Sequence, residues 1–424
     1  MSKSKLTAGI ELGSSKITTI IAQLSSDQAL LTKEVNIVGI SSVESKGIKK
    51  GQIVNIEEAV EATIASVEGA ERMAGSNLGS AYVAIGGAHV SCQNSHGVVA
   101  ISDPDGEING SDVDRVIEAA SAIALPASRE IIHVLPREFI VDGEAGVRDP
   151  VGMSGVRLEV NTHLVTASSA SVKNLKKALN QVGINVIEVV FSGLAASEAV
   201  LSKTEKELGC CLIDVGGGTT SIAAFIDGGL TYSGVLPIGA TNVTNDLAIG
   251  LRVSLESAEK IKIALSSDDS KRKKGKDNVG DEFDMNSLGI DELKKVSRKT
   301  LTEGIIRPRL NEIFTMVRLQ LDRENLGSRI PSGVILTGGG AETVGVVDSA
   351  RRMMSLPVRI GIPKEVGGLI DDIMNPLYST PVGLIIFASN QEALEPVSSF
   401  STKFKLPSKG VFGKIVETIK DLLP

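Results

Sequence analysis

Tryptophan is absent from this chain of 424 residues, and aromatic side chains make up only 3% of it. So small an aromatic stock argues against the stacking platforms that hold bases or sugars. Basic excess is lacking too. The 44 Lys and Arg stand against 51 Asp and Glu, a formal charge of −7, so nucleic acid is a poor candidate partner. Cysteine is scarce: Cys92 stands alone and Cys210 and Cys211 are adjacent, which gives neither a disulfide framework nor a metal-ligand spacing. They read as small buried hydrophobes of a reducing compartment. The four histidines, His89, His96, His133 and His163, form no ligand pair at helical spacing, so structural roles are expected. No run reaches the ~20 apolar residues of a membrane span, and the N-terminus lacks a basic-apolar-cleavage pattern. A cytoplasmic protein is therefore expected.

What the chain does contain is a 42% hydrophobic composition, enough for a packed body, and a length beyond the roughly 100–200 residues of one compact core. Two or more lobes follow. Two distant stretches are built alike. Residues 8–20 and 211–223 each run apolar strand, carboxylate (Glu11, Asp214), apolar residue, glycine (Gly13, Gly216), hydroxyl cluster and second strand. Ser14, Ser15 and Lys16 follow the first glycine; Gly217, Gly218, Thr219 and Thr220 follow the second. A hairpin of that composition can turn tightly at glycine, aim N–H and hydroxyl groups at an anion and hold a carboxylate for a cation. Two facing each other would clamp a polyphosphate and its magnesium ion.

Around them the chain alternates strands and helices, with a strand at 35–43 and a helix at 56–73 burying Ile56, Val60, Ile64 and Val67. A strand-rich block, 82–165, begins and ends with β segments, as an inserted subdomain does. A helical stretch, 236–330, contains a helix at 291–317 and is interrupted by a charged, solvated loop at 266–289. On its helix before that loop, Glu259 and Lys262 share one face, three residues apart. A third glycine cluster, Gly338, Gly339, Gly340 and then Ala341, follows a strand and lets backbone approach a flat ligand. At the far end Phe412, Ile415, Val416, Ile419, Leu422 and Leu423 recur at helical spacing. Five lysines and two acids from Lys403 onward give that tail +3, leaving −10 on the remainder. A polar tether at 389–410 precedes the stripe, so an anionic lipid surface is the expected partner of the tail.

The order of first hairpin, second hairpin, Glu259/Lys262 helix and Gly338–340 cluster resembles the actin, sugar-kinase and chaperone ATPase superfamily. Within it the chain resembles the FtsA family of bacterial cell-division proteins, on stretches 84–94, 149–157, 191–197 and the amphipathic terminus. The resemblance implies an α/β, actin-like two-lobed ATPase fold with an inserted α+β subdomain and a C-terminal amphipathic helix. By it, subdomain IA spans 1–81 and is completed by about 360–388, and IC spans 82–165. IIA spans 166–235 and 331–359, and IIB spans 236–330. A linker (389–410) and a membrane-targeting helix (411–424) follow.

It further implies ATP and Mg²⁺ as cofactors. Gly13, Ser14, Ser15 and Lys16 would lie on one side of the phosphates and Gly216 to Thr220 on the other. Asp214, with Glu11 beside it, would serve the magnesium through water. Glu259 and Lys262 would meet the ribose or base, and Gly338 to Ala341 would flank the adenosine. Position 11 carries Glu where much of the superfamily has Asp, as FtsA relatives often do. The superfamily's water-orienting Glu or Gln is lacking in 192–197, so slow or undetectable hydrolysis is expected, with Glu198 too far along to serve. The implied partners are the C-terminal peptide of the tubulin-like FtsZ, further copies of the chain in a polymer, and later division proteins on the inserted block. Lys295, Arg298, Glu303 and Arg309 are the candidate peptide contacts. A pilus or secretion scaffold and a small-molecule kinase stand as alternatives; the kinase would need an acceptor pocket and a catalytic carboxylate, and the sequence supplies neither.

Overall fold

Two sheets with the same strand plan carry the molecule. In the computed structural model, which describes residues 4–27, 32–103, 105–273, 281–290, 295–369 and 373–394, Ser4–Leu12 pairs antiparallel with Lys16–Asp27, and that strand with Thr32–Glu44. Ser80–Ile85 then pairs parallel with Ser4–Leu12, and Asn185–Phe191 parallel with Ser80–Ile85. The second sheet repeats the scheme. Cys210–Val215, Thr220–Ile226 and Gly229–Leu236 form an antiparallel meander, with Val334–Thr337 and Val358–Ile360 added in parallel. Parallel additions require crossover connections, and helices supply them on both lobes. Every residue of Cys210–Val215 and Thr220–Ile226 is buried, which explains their near-continuous apolar runs.

The structure draws the subdomain limits differently from the sequence. Ser80–Ile85 lies inside the first sheet, so the inserted block begins after Ile85 rather than at 82. It consists of the antiparallel strands Ser91–Ala100, Arg157–Ser168, Arg129–Val141 and Glu144–Val147, with helix Gly110–Ser121 packed on them. Ile108, Val116, Phe139, Leu158 and Val160 give it a small core of its own. Residues 169–200 belong to the first lobe rather than the second, because Asn185–Phe191 pairs in the first sheet. Such long-range parallel pairing leaves no local mark in a sequence. Helix Ser379–Leu394 returns to the first lobe and buries Val382, Leu384 and Ile385 there.

Helix Ile56–Ala74 starts on the Asn55 side chain, which accepts from the N–H groups of Glu57 and Glu58, and ends on Gly75 with φ 66°. Its buried face is not the expected one. Ala59, Ala62, Thr63, Ser66 and Ala70 are buried beside Val67, while Ile64 is 37% exposed. Small residues win because helix and sheet nearly touch: a Cβ on Gly39 would stand 2.5 Å from the Ala70 carbonyl oxygen. The expected loop at 266–289 is shorter than read. Helix Leu255–Lys273 runs through its first third, and Glu282–Asp284 pairs with Lys295–Ser297. That pairing also puts 295–297 in a strand, where a helix had been expected.

The inserted block leans on the edge strand of the second lobe through a buried histidine. His163 Nδ1 lies 2.7 Å from Asn94 Oδ1 and its Nε2 2.8 Å from Ser233 Oγ, while Asn94 Nδ2 donates to the Thr231 carbonyl at 3.3 Å. Burial, reinforced by Arg137 and His133, pushes the His163 imidazole down to about 3, so it is neutral and bridges as one donor and one acceptor. His163→Leu leaves Asn94 and Ser233 without these partners at a cost of about 1–3 kcal/mol. Hydrogen exchange of Gly229–Leu236 should quicken, and limited proteolysis should release the inserted block first.

Candidate functional site

The two glycine hairpins meet tip to tip. Gly13 N–H donates to the Lys16 carbonyl at 3.0 Å and Gly216 N–H to that of Thr219 at 2.9 Å, closing two-residue loops at Ser14-Ser15 and Gly217-Gly218. None of Gly13, Gly216, Gly217 or Gly218 has a positive φ, so they are not there to turn the chain, as the sequence suggested. At Gly13 and Gly216 a Cβ would stand 2.7 and 3.2 Å from the carbonyl oxygens of Lys16 and Thr219 in their own hairpins, whereas Gly217 and Gly218 permit contact between the tips. A Cβ on Gly217 would lie 2.8 Å from Ser15 Cβ, and one on Gly218 2.8 Å from Ser14 Cβ. Ser14 Oγ in turn accepts from Gly51 N–H at 2.9 Å. Gly218 is therefore a spacer against Ser14 and does not line the cleft. Helix Ala240–Leu251 is held to the second loop by the N–H groups of Ala240 and Thr241, each 2.9 Å from the carbonyls of Gly216 and Gly217.

Behind the tips lies a cavity of about 480 Å³, lined by both hairpins and by the third glycine cluster. Glu11, Asp214 and Lys16 share it. Burial raises Glu11 to about 7, with Lys16 opposing and Asp214 adding to the shift. Burial likewise raises Asp214 to about 6, opposed by the Thr380 hydroxyl, which donates to Oδ2 at 3.0 Å, and by Lys16. Burial lowers Lys16; its Nζ donates to the Leu377 carbonyl at 2.9 Å and lies 4.2 Å from the Tyr378 ring centre. Two carboxyls near one ammonium form a site short of positive charge. Among the described residues no three His, Cys, Asp or Glu side chains cluster as a metal site. A magnesium ion here would take only one or two protein carboxylates, as suits an ion that keeps water and phosphate in its shell. The donor set would suit Mg²⁺ with a polyphosphate, Lys16 being placed to meet the phosphate charge.

On the second lobe's side of the cavity, Glu259 and Lys262 close a triangle with the buried Thr244. Lys262 Nζ is 2.7 Å from Glu259 Oε2 and 2.9 Å from Thr244 Oγ1, whose hydroxyl donates to Glu259 Oε2 at 2.6 Å. Opposite them, Gly338 has φ 80°, and a Cβ there would fall 2.1 Å from Asp214 Oδ1; only glycine lets that backbone pass the carboxylate. Gly339 and Gly340 line the cavity beside it. Besides Gly218, two expected residues do not. Thr220 is fully buried and donates to the Ile238 carbonyl at 2.8 Å, and Ala341 joins the hydrophobic core of the second lobe.

Sequence reading missed Ser192, Ser221, Thr241 and Thr380, all on the cavity wall. Ser192 and Ser221 hydroxyls lie 3.0 Å apart and link the lobes at its floor. Only Ser221 carried a usable signal, its place directly after Thr220. Glu198 is turned away, its Oε1 2.7 Å from Lys206 Nζ. Position 192, where helix Ser192–Val200 meets the cleft, is a serine.

The family description "SHS2 domain inserted in FTSA" matches residues 87–166, and "Cell division protein FtsA" matches residues 211–383. Cell division protein FtsA of Pseudomonas aeruginosa is 39% identical over 389 residues, 92% of this chain and 90% of that one. The chain belongs to the FtsA family. The FtsA of Escherichia coli is 35% identical, covering 90% of each chain, and that of Bacillus subtilis 36%, covering 97% of this chain and 89% of that one. Among solved structures, the PilM-PilN type IV pilus biogenesis complex matches with TM-score 0.62 at 15% identity, over 90% of this chain and 98% of that one. MreB5 of Spiroplasma citri, solved bound to AMPPNP, matches with TM-score 0.53 at 13% identity, over 92% and 98%. These two show the fold alone: it is actin-like, with the inserted SHS2 subdomain of FtsA.

As a member of the FtsA family the chain is an actin-like protein of cell division. Its four candidate peptide contacts are held by different partners. Lys295 Nζ lies 2.6 Å from Glu282 Oε2, and Arg309 binds Asp246 at 2.6 and 2.8 Å. Arg298 stacks 4.5 Å from the Phe283 ring, and Glu303 pairs with Arg307. Arg298 and Glu303 reach a common cavity of about 430 Å³, with Lys299, Asp281 and Asp348; Lys295 and Arg309 do not. No described helix is long and apolar enough to cross a membrane. The expected terminal stripe, Phe412 to Leu423, lies outside the described residues, as does 395–410 of the tether.

Proposed function

We propose that this chain is an ATP-binding, polymerising adaptor that holds the FtsZ division ring to the inner face of the cytoplasmic membrane. The observation that carries the reading is the convergence of two touching hairpins, Lys16 and two charge-starved carboxyls in one interlobe cavity of an FtsA-family chain. Ser14, Ser15, Lys16, Gly217 and Thr219 would hold the phosphates of ATP. Asp214 and Glu11 would hold Mg²⁺, which when bound neutralises charge on the phosphates. Glu259 and Lys262, braced by the Thr244 hydroxyl, would orient the sugar. With serine at 192 and Glu198 engaged elsewhere, nothing on that helix positions an attacking water, so turnover is slow and occupancy acts as a state signal.

The tail supplies adhesion. Phe412, Ile415, Val416, Ile419, Leu422 and Leu423 recur at helical spacing among lysines, and a helix there would present one apolar stripe to an anionic lipid surface. One such helix binds weakly; copies linked in a polymer bind avidly, because later contacts become intramolecular. The FtsZ C-terminal peptide docks on the second lobe near Arg298 and Glu303, and later division proteins dock on the inserted subdomain. Sedimentation with vesicles of anionic lipid tests the reading. The full chain should co-sediment more strongly with Mg-ATP than without, and a chain ending at Ser408 should stay in the supernatant. Unchanged sedimentation of the truncated chain would remove the adaptor reading.

A further inference from the structure

Both ionic poles of the cavity are bonded to one short stretch of chain. Residues 375–380 lead into helix Ser379–Leu394, and within them the Leu377 carbonyl accepts from Lys16 Nζ at 2.9 Å while Thr380 Oγ1 donates to Asp214 Oδ2 at 3.0 Å. The stretch is also fastened to the second lobe by contacts that involve neither pole. Gly338 N–H donates to the Pro376 carbonyl at 3.1 Å, Thr337 Oγ1 lies 2.5 Å from Ser379 Oγ, and Asn375 Nδ2 donates to Glu342 Oε1 at 2.7 Å. The helix that follows belongs to the first lobe: Val382, Leu384 and Ile385 sit in its core. A Cβ on Gly383 would stand 1.8 Å from the Ala195 carbonyl oxygen. The stretch therefore crosses between the lobes, grips both, and is the last crossing before the compact body ends at Ser389.

We propose that residues 375–380 are an internal competitor for the nucleotide site, displaced from Lys16 and Asp214 when a magnesium–triphosphate binds, so that occupancy is passed to helix Ser379–Leu394 and the chain beyond it. The inference rests on the nucleotide reading above and adds the element that reads the site out. Lys16 gives its ammonium to a neutral carbonyl, and Asp214 receives a neutral hydroxyl. Phosphate oxygens and a divalent cation carry full opposite charge toward the same two groups, which adds a Coulomb attraction that a carbonyl or a hydroxyl does not supply. Exchange of partners is thus downhill at both poles. Helix Ser379–Leu394 is too tightly seated at Gly383 to absorb the change by sliding, so the release falls on its first turn and on 375–378.

Calorimetry and hydrogen exchange on the full chain, each with Mg-AMPPNP and without it, test this together. Binding heat should be accompanied by faster exchange across 375–382 while the two hairpins slow. Thr380→Val, which keeps the shape and loses the hydroxyl, should bind Mg-AMPPNP about 3–10-fold more tightly and show a smaller nucleotide-dependent change over 375–382. Thr380→Ser should behave as the parent. Binding heat with unchanged exchange over 375–382, or equal or weaker affinity in Thr380→Val, would overturn the competitor and leave the nucleotide site standing. No heat at all would remove both.

Discussion

Lys16→Met weakens Mg-ATP binding by about 100-fold and makes the protein less stable at pH 8 than at pH 5 by a wider margin than the parent shows. The affinity loss follows from removing one charge-assisted partner of the phosphates, worth about 1.5–3 kcal/mol, in a cavity whose other described lysine, Lys262, is engaged with Glu259. The pH effect follows from the acids left behind. Glu11 and Asp214 stand at about 7 and about 6 in the folded chain, above the ordinary carboxyl range, because burial disfavours their charge. The folded state therefore binds more protons than the unfolded one between about pH 4 and 7, and stability falls as pH rises through that window. Lys16 lowers both values; without it they climb further and the decline steepens. Thermal midpoints from pH 5 to 8 measure this, and added Mg²⁺ should recover part of the loss in the parent at pH 8. Equal pH slopes in parent and variant would contradict the assigned electrostatics.

Gly383→Val should be strongly destabilising although it lies outside the cleft. A Cβ at this position would stand 1.8 Å from the Ala195 oxygen and 2.4 Å from its carbonyl carbon, where Ala195 and Ala196 are fully buried. The obstacle is backbone, so no side chain can swing away, and the helices must part. Overpacking costs typically about 1–3 kcal/mol; with the last helix of the first lobe displaced, the cost should reach or exceed the top of that range. Soluble yield and the thermal midpoint should both drop. Gly110→Ala is the matched control: its Cβ meets nothing within 4 Å, φ is not positive there, and the residue opens a helix. Its midpoint should stay with the parent's.

The parts of the site that could be read from the sequence are those whose chemistry is local. Glu11, Lys16 and Asp214 sit within a few residues of a glycine turn, and Glu259 with Lys262 lies one helical turn apart, so short-range order alone presents them. Thr380 could not be found this way, because its partner Asp214 lies 166 positions earlier and only the folding of the last helix onto the first lobe joins them. The lobe limits failed for a similar reason: Ser80–Ile85 and Asn185–Phe191 pair with strands across an inserted block, and parallel pairing has no turn to announce it. The face of helix Ile56–Ala74 was misjudged because hydrophobic periodicity finds large residues, while a close helix–sheet contact at Gly39 selects Ala, Ser and Thr. Gly217 and Gly218 were identified but misread: they serve contact between tips, a property of two loops together.

Isothermal titration of the full chain with ATP, with and without Mg²⁺, tests the central claim most directly. A paired-hairpin cleft predicts saturating one-site heat that strengthens with Mg²⁺, weakens about 100-fold in Lys16→Met, and loses its Mg²⁺ dependence in Asp214→Asn. Absence of heat, or heat indifferent to Mg²⁺ and to both substitutions, would contradict it.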